Sequence, residues 1–541
     1  MLGRQWNWLL AVPFLASLSA CEVGPDYMRP AAPVPPTYKE NEGWTPATPR
    51  QAAGWENWWE IYEDPMLDDL EKQVDISNQN LKAAEAAYLV ARAQVGIDRG
   101  TLLPDINANA SVRTSGGGGS RGGSSSAASG GSGNSSTGTG NQSAAGGSSG
   151  GKTSTLYQVS LAATWDIDVW GRIRRTVEGA VATAQASAAD IAAARLSAQS
   201  QLAVDYFQLR VSDQEAQLIT SAVEDFQMAL AIAQNRYQAG VATMTDVYSA
   251  QTQVDNAEAQ LVGIQLTREN MSNAIATLVG KTPIEVSIAP APLTMDVPVI
   301  PAGVPSTLLE RRPDIATSEY DMASANAGIG VAEAAWFPDL TLAGSYGFAS
   351  TALGTLFKAS NASWSFGPSL AETVFNGGAR IAQNQQARAR YEQAVATYRQ
   401  TVLTAFQQVE DELATLKILE EEAVAQNRTV TDARLAEQLT LNQYRAGTAD
   451  FTAVITAQTT RFNAETAALN VLNQRLAGSV NFVMALGGGW DNSRIPRPGF
   501  FYTLPAATRN DGPQDEAAAA AESQKANGSF FQRVFNAISN P

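Results

Sequence analysis

The chain has 541 residues, a net charge of −16, a single cysteine and no histidine. With no basic stripe, nucleic acid is excluded as a partner. The missing histidine removes the commonest general base and neutral metal ligand, and one cysteine allows neither an intrachain disulfide nor a thiolate cluster. No clustered acid pair takes their place, so composition points away from an enzyme and from a metal or other bound cofactor.

Residues 1–20 read as a signal peptide. Arg4 supplies the positive charge, and Trp8 to Ala20 is an apolar run, broken by Pro13, that falls short of the ~20 residues of a spanning helix. It ends Leu18-Ser19-Ala20-Cys21, the spacing of a bacterial lipoprotein signal. Cys21 is therefore read as the lipidated mature N-terminus, carrying diacylglycerol and an N-acyl chain; the plainer alternative is ordinary cleavage beside an incidental cysteine. In a Gram-negative cell, Glu22 after the cysteine favours delivery to the outer membrane. Residues 21–65 hold Pro30, Pro33, Pro35, Pro36, Pro46 and Pro49, an extended tether rather than a domain.

Beyond the tether the chain is written twice. NRYQAGVATMTDVYSAQ (235–251) and NQYRAGTADFTAVITAQ (442–458) agree at nine of 17 positions, at an offset of 207. Upstream, Asn80-Leu81, Glu85 and Leu103-Pro104-Asp105-Ile106 align with Asp314-Ile315, Glu319 and Phe337-Pro338-Asp339-Leu340 at an offset of 234. The excess of the first half falls in the Gly/Ser tract, a flexible insert in one loop. The first repeat spans 66–280: a helix, a strand at 103–114, the loop 115–152, a strand at 154–169, a long helix, a turn near 240 and a return helix. A Pro-rich connector with six prolines fills 281–305. The second repeat spans 306–487, with strands at 338–349 and 362–375 and a turn near 447. Residues 488–541 form an acidic, Ala-rich tail whose 530–538 stretch is read as a small amphipathic helix.

The four strand segments alternate with period two, as half-buried strands do. Ile106, Ala108, Ala110 and Val112 oppose Asp105, Asn107, Asn109, Ser111 and Arg113. Tyr157 to Val169 behaves alike; Leu340, Leu342, Tyr346 and Phe348 oppose Asp339, Thr341 and Ser345; Trp364, Phe366 and Leu370 oppose Ser363, Ser365 and Ser369. Each is about the 9–11 residues, or slightly more, of a tilted membrane strand with a wet interior. Aromatics gather at both ends, Trp165, Trp170, Trp336, Phe337 and Phe375 beside the helices and Tyr157, Tyr346, Phe348, Trp364 and Phe366 toward the loops, as two interfacial girdles do. Soluble hairpins on a helical protein are the alternative, but they leave the apolar faces without a partner. Four strands cannot close a barrel and open edges are not tolerated in lipid, so the chain must oligomerise.

Helix lengths fit together. Arg172 to Ala239 and Ala379 to Ala446 are 68 residues each, roughly 100 Å. Each matches two shorter partners laid end to end, Met66–Gly100 with Ala242–Val279, and Ser306–Trp336 with Asp450–Leu486.

Cys21-Glu-Val-Gly-Pro-Asp-Tyr-Met-Arg-Pro30, Trp58-Trp59, Asp64-Pro65-Met-Leu67 and Leu309-Glu310-Arg311-Arg312-Pro313-Asp314-Ile315 resemble the outer-membrane factor lipoproteins, of the TolC/OprM-like (NodT-type) family, over nearly all of 21–490. The resemblance implies a mixed α/β outer-membrane channel: a homotrimer whose four strands per chain make one 12-stranded transmembrane β-barrel, continued by a long periplasmic α-helical barrel. It implies the exit duct of a tripartite RND efflux system, set in outer-membrane lipid, with a periplasmic adaptor (membrane fusion) protein and an inner-membrane RND pump as partners. The cargo would be small molecules such as drugs, toxic organics or metal ions. A type I secretion duct or a structural envelope lipoprotein remain as alternatives; a scaffold needs no lipid-facing girdles, and the lipoprotein signal with Arg-Arg-Pro-Asp favours the efflux branch.

In that family the helix turns form the periplasmic gate. Here both carry Tyr-x-Ala-Gly, Tyr237 to Gly240 and Tyr444 to Gly447, which is also the signature of a glycine helix cap. Several members place an Asp nine residues after the second glycine; here that position is Thr456, a departure. Asp246 and Asp450 are the nearest acids, and Phe451 completes the set of residues available for a seal.

Overall fold

In the computed structural model, which describes residues 22–32, 34–35, 39, 55–116, 153–293, 297–298, 300 and 308–502, four strands pair antiparallel in chain order. They are β1 (Asp105–Gly116), β2 (Thr153–Asp166), β3 (Asp339–Ser350) and β4 (Ala362–Ala371). The register aligns the four alternations. Ala108 lies opposite Leu161, Leu161 opposite Tyr346, and Tyr346 opposite Trp364; neighbouring rows are Ile106–Ala163–Gly344–Phe366 and Ala110–Val159–Phe348–Ala362. Partners across an antiparallel ladder share a face, so one face of the sheet is apolar except at its loop end, where it carries Thr114, Thr155 and Ser350. The other carries rows such as Asn107–Ala162–Ser345–Ser365 and Asn109–Ser160–Gly347–Ser363, with a hydroxyl–hydroxyl bond of 2.8 Å between Ser345 and Ser365. Within the described chain the outer ladders of β1 and β4 pair with nothing.

Two strands end earlier than the alternation runs. β2 stops at Asp166 because Asp168 turns to accept the backbone N–H of Ile173 (3.1 Å) and Arg174 (2.9 Å), capping the next helix. β4 stops at Ala371 because Gly377 and Gly378 take φ of 66° and 89° and the chain reverses there, with Arg380 bonded to Glu372 and the Thr373 carbonyl.

The helices are α1 (Pro65–Ser77), α2 (Gln79–Gly100), α3 (Arg172–Gln238), α4 (Met244–Leu278), α5 (Leu308–Arg311), α6 (Pro313–Ala334), α7 (Ala379–Arg445) and α8 (Phe451–Ala485). α3 and α7 have 67 residues each, about 100 Å. None of the described helices is long and apolar enough to cross a membrane. Contacts divide the chain into two compact units: Met1–Val23, Arg99–Arg174 and Glu333–Arg380 make a sheet unit, and Gly24–Asp98, Arg175–Ala332 and Ile381–Pro541 make a helical one.

The helix expected at 66–100 is broken at Asn78, whose side chain accepts from Asn80 N (2.9 Å) and Leu81 N (3.0 Å) and so caps α2, while its amide donates to the Leu278 carbonyl at the end of α4 (2.7 Å). At the repeat-related place α5 breaks into α6, and Arg312 donates to the Ala485 carbonyl at the end of α8 (3.0 Å). Gly280 (φ 69°) and Gly487 (φ 88°) close the two junctions; a Cβ on either would strike the carbonyl of Ser77 or Arg311. α4 therefore abuts α2 and α8 abuts α6, end to end, and a buried arginine at a helix C-terminus satisfies carbonyls the helix leaves open. Around these junctions lies the main core, with Trp58, Trp59, Tyr62, Tyr206, Phe207, Tyr398 and Phe482. The connector crosses it: buried Asp213 holds Arg210 (3.3 Å) and Arg268 (2.6 Å), which donate to the carbonyls of Ala289 and Ile288.

Candidate functional site: the paired helix turns

Both turns are built alike. In the first, Gly240 (φ 75°) donates to the Tyr237 carbonyl (2.9 Å) and Val241 to that of Arg236 (2.9 Å); in the second, Gly447 (φ 77°) donates to Tyr444 (3.0 Å) and Thr448 to Gln443 (2.9 Å). This pair of bonds closes a helix around a left-handed residue, which glycine adopts without strain. The return helices are then capped. Thr243 Oγ1 accepts from Asp246 N (3.3 Å) while the Asp246 carboxylate accepts from Thr243 N (3.0 Å), a reciprocal box. Asp450 accepts from Ala453 N at 2.8 Å. Both acids near the turns thus face the positive end of a helix.

The repeat does not extend to burial. Tyr237 is 46% exposed, whereas its counterpart Tyr444 is 3% exposed. Tyr444 and Phe451, rings 5.4 Å apart, join Ala229, Ala233, Val247, Ala250 and Val454 in an apolar cluster between the four helices of the tip. Arg236 covers it: its guanidinium stands 4.5 Å over the Tyr444 ring and donates to the Tyr444 carbonyl at 2.8 Å. Burial pushes the Tyr444 hydroxyl above its ordinary range, against the pull of Arg236 and with a push from Asp246. Two of the expected sealing residues, Tyr444 and Phe451, therefore pack inside the chain's own tip. Tyr237, Asp450 and Thr456 remain at the surface and Asp246 is half-buried. Thr456 lies on an exposed line with Thr452 and Thr460, and its hydroxyl bonds the Thr452 carbonyl at 2.8 Å.

About ten residues into α8, roughly 15 Å from its start, lies a charged layer absent from the sequence reading. Arg461 contacts Asp225 (2.6 Å) on α3 and Glu437 (3.1 Å) on α7, and Glu465, which also pairs with Arg434, stands 3.9 Å away. Burial raises the Glu437 carboxyl and Arg461 pulls it back down. The clue available in the sequence was the asymmetry of the repeat: at the 207 offset Arg461 corresponds to Val254 and Glu437 to Leu230.

Cys21 lies outside the described residues, as do the Gly/Ser tract from 117 to 152 and the 530–538 stretch. The residues after Cys21 are held tightly. Val23 N donates to the Trp170 carbonyl (3.1 Å), and Gly171 (φ 82°) leaves room for the Glu22 side chain. Farther along, Gly24 (φ 104°) crosses Gly330 so closely that a Cβ would stand 2.5 Å from the Gly330 Cα. Buried Arg175 reaches the Gly24 carbonyl (3.3 Å), Asp26 (3.0 Å) and Glu178 (2.7 Å), and Arg29 pairs with Glu319 at 3.0 Å.

Comparison with known proteins agrees with this geometry. Residues 70–281 and 304–488 match the family model described as outer membrane efflux protein. The chain is 29% identical over 477 residues to the toluene efflux pump outer membrane protein TtgC of Pseudomonas putida, covering 87% of this chain and 93% of that one. To the outer membrane protein OprJ of Pseudomonas aeruginosa it is 31% identical over 487 residues, covering 88% and 95%. Its structure resembles that of the outer-membrane channel OprN, with a TM-score of 0.76, 28% identity and 87% and 100% coverage. The solved neighbours are trimeric outer-membrane channels that join a helical barrel to a β domain, the fold class expected from the sequence. With the match spanning both repeats, the chain belongs to the outer membrane efflux protein family.

Proposed function

We propose that three copies of the chain form a passive duct through the outer membrane, which receives small molecules from an RND pump of the inner membrane by way of a periplasmic adaptor. Its place is the outer membrane and its work is that of the exit component of an efflux pump. The observation that carries the trimer is the sheet: one face apolar across all four strands, and two open edges that lipid does not tolerate. Joining β4 of one copy to β1 of the next removes every edge and gives 12 strands. The polar face, built largely of Ser, Asn, Gly and Ala, lines a wide wet lumen without a selective pocket. Drugs, toxic organics or metal ions are then chosen by the pump, not by the duct. Cys21 carries the lipid, and the tips bearing Tyr237, Gly240, Asp246, Gly447, Asp450 and Thr456 narrow the lumen at rest and meet the adaptor, with Tyr444 and Phe451 holding their packing.

Two experiments test this. Purified protein should have three times the chain mass by native mass spectrometry and conduct in a planar bilayer; a monomer that never conducts refutes the duct. A fatty-acid analogue should label the wild type in cells and not Cys21→Ser, and equal labelling of both refutes lipidation there.

A further inference from the structure

We propose that the β3–β4 loop, residues 351–361, docks on the phosphorylated glycolipid of the outer leaflet, with Leu353 and Phe357 against its acyl region and Lys358 on a phosphate. This rests on the outer-membrane duct reading. All four strands meet the helices at one end of the sheet, at Asp105, Asp166, Asp339 and Ala371, and turn at the other. With the helices in the periplasm, the β3–β4 loop lies on the outer side.

The loop is built, not slack. Ser350 and Thr355 share a hydroxyl bond of 2.7 Å, the Asn361 amide donates to the Thr355 carbonyl at 2.6 Å, and Lys358 N donates to the same carbonyl at 3.1 Å. Leu356 is buried beneath it while Leu353 and Phe357 stand 65% and 70% exposed. The direction in which Phe357 leaves is decisive. Its ring lies 5.4 Å from that of Phe348, which lies 5.5 Å from Tyr346, and both belong to the apolar face of the sheet. The loop therefore folds outward and extends the lipid-facing aromatics, instead of folding over the polar face.

Charge selects the partner. Between Asp339 and Glu372 the only ionic residue is Lys358, and between Asp105 and Asp166 the only ones are Arg113, Arg121 and Lys152. On a chain of net charge −16, both hairpins keep their acids at the helix end and only cations at the loop end. By strand parity Arg113 belongs to the polar face, and Arg121 and Lys152 lie outside the described residues; among the described residues the exposed cation beside the aromatic rim is Lys358. A cation flanked by exposed aromatic and aliphatic side chains at a membrane interface matches an anionic headgroup set above acyl chains.

The full-length trimer in detergent is titrated with bisphosphorylated lipid A, with the same lipid stripped of phosphate, and with phosphatidylglycerol, and bound lipid is counted by native mass spectrometry. Wild type should prefer the bisphosphorylated form about fivefold over the other two. Lys358→Glu should erase that preference, Phe357→Ser should weaken both forms of lipid A, and Arg428→Glu, an exposed cation on α7, should change neither. Equal wild-type binding of the two lipid A forms, equal binding of phosphatidylglycerol, or a preference that survives Lys358→Glu overturns the proposal. The wild-type comparison stands whether or not a variant folds. Conductance of the same samples keeps the two readings apart: a conducting trimer without phosphate preference sinks only the loop assignment, while a sample that neither trimerises nor conducts sinks both.

Discussion

Thr456 stands nine residues after Gly447, where the family resemblance leads one to expect an acid, and its exposed hydroxyl is engaged with its own helix. Thr456→Asp sets three like charges at one level of the trimer, each pair repelling by about 1 kcal/mol at 4 Å in water and more where water is scarce. Single-channel conductance should rise and cells should become sensitive to large antibiotics; unchanged resting conductance would place the constriction elsewhere. Phe451→Asp acts by another route, because Phe451 is buried against Tyr444. It should destabilise the tip by about 3 kcal/mol or more, read as a lower thermal midpoint together with a leaking channel. Arg461 offers a pH test. Glu437, raised by burial, favours its protonated form in the fold, so its contribution is full below the ordinary carboxylate range and is lost as pH climbs through the raised value. Arg461→Ala removes the cation that offsets this loss. The cost should be about 3 kcal/mol near neutral pH and smaller in acid, below the raised value, where Glu437 is protonated; an equal loss under both conditions would contradict the assignment.

The elements differ in how plainly the sequence spells them. The strand alternation was legible because each strand has one wet and one apolar face, and the register then stacks Ala108, Leu161, Tyr346 and Trp364 in a single row. The long helices were legible from 67-residue stretches without proline. The break at Asn78 was not, because Ser77-Asn78 reads as a tolerable helix interior until the end of α4 arrives to accept its amide. Tyr237 and Tyr444 could not be told apart: they share a motif, and only the packing of four helices buries one and exposes the other. The tether was read as an extended leash, yet residues 22–29 are clamped. Gly330→Val should push the Arg175 side chain aside, and Arg175→Ala should loosen the same segment by about 1 kcal/mol, most of it from the Gly24 carbonyl, since Asp26 is exposed and Glu178 lies on α3 itself. Chymotrypsin should then cut after Tyr27 in folded variants but not in the wild type.

For the whole molecule, the Gly/Ser tract is the clearest place to subtract. Deleting about 28 residues between Ser115 and Gly151 should leave the trimer and its export intact, because loop closure costs only ~0.6 kcal/mol per doubling of length. Failure to assemble would mean that the tract braces or plugs the barrel.

The spread of the lipid-facing surface over alternate residues of four strands bears on when that surface exists. None of the described helices is long and apolar enough to cross a membrane, and along each strand an apolar face alternates with a more polar one. No single segment therefore spells out the lipid-facing surface, because each strand supplies only alternate residues to it. The greasy exterior comes into being only when β1 to β4 pair in register.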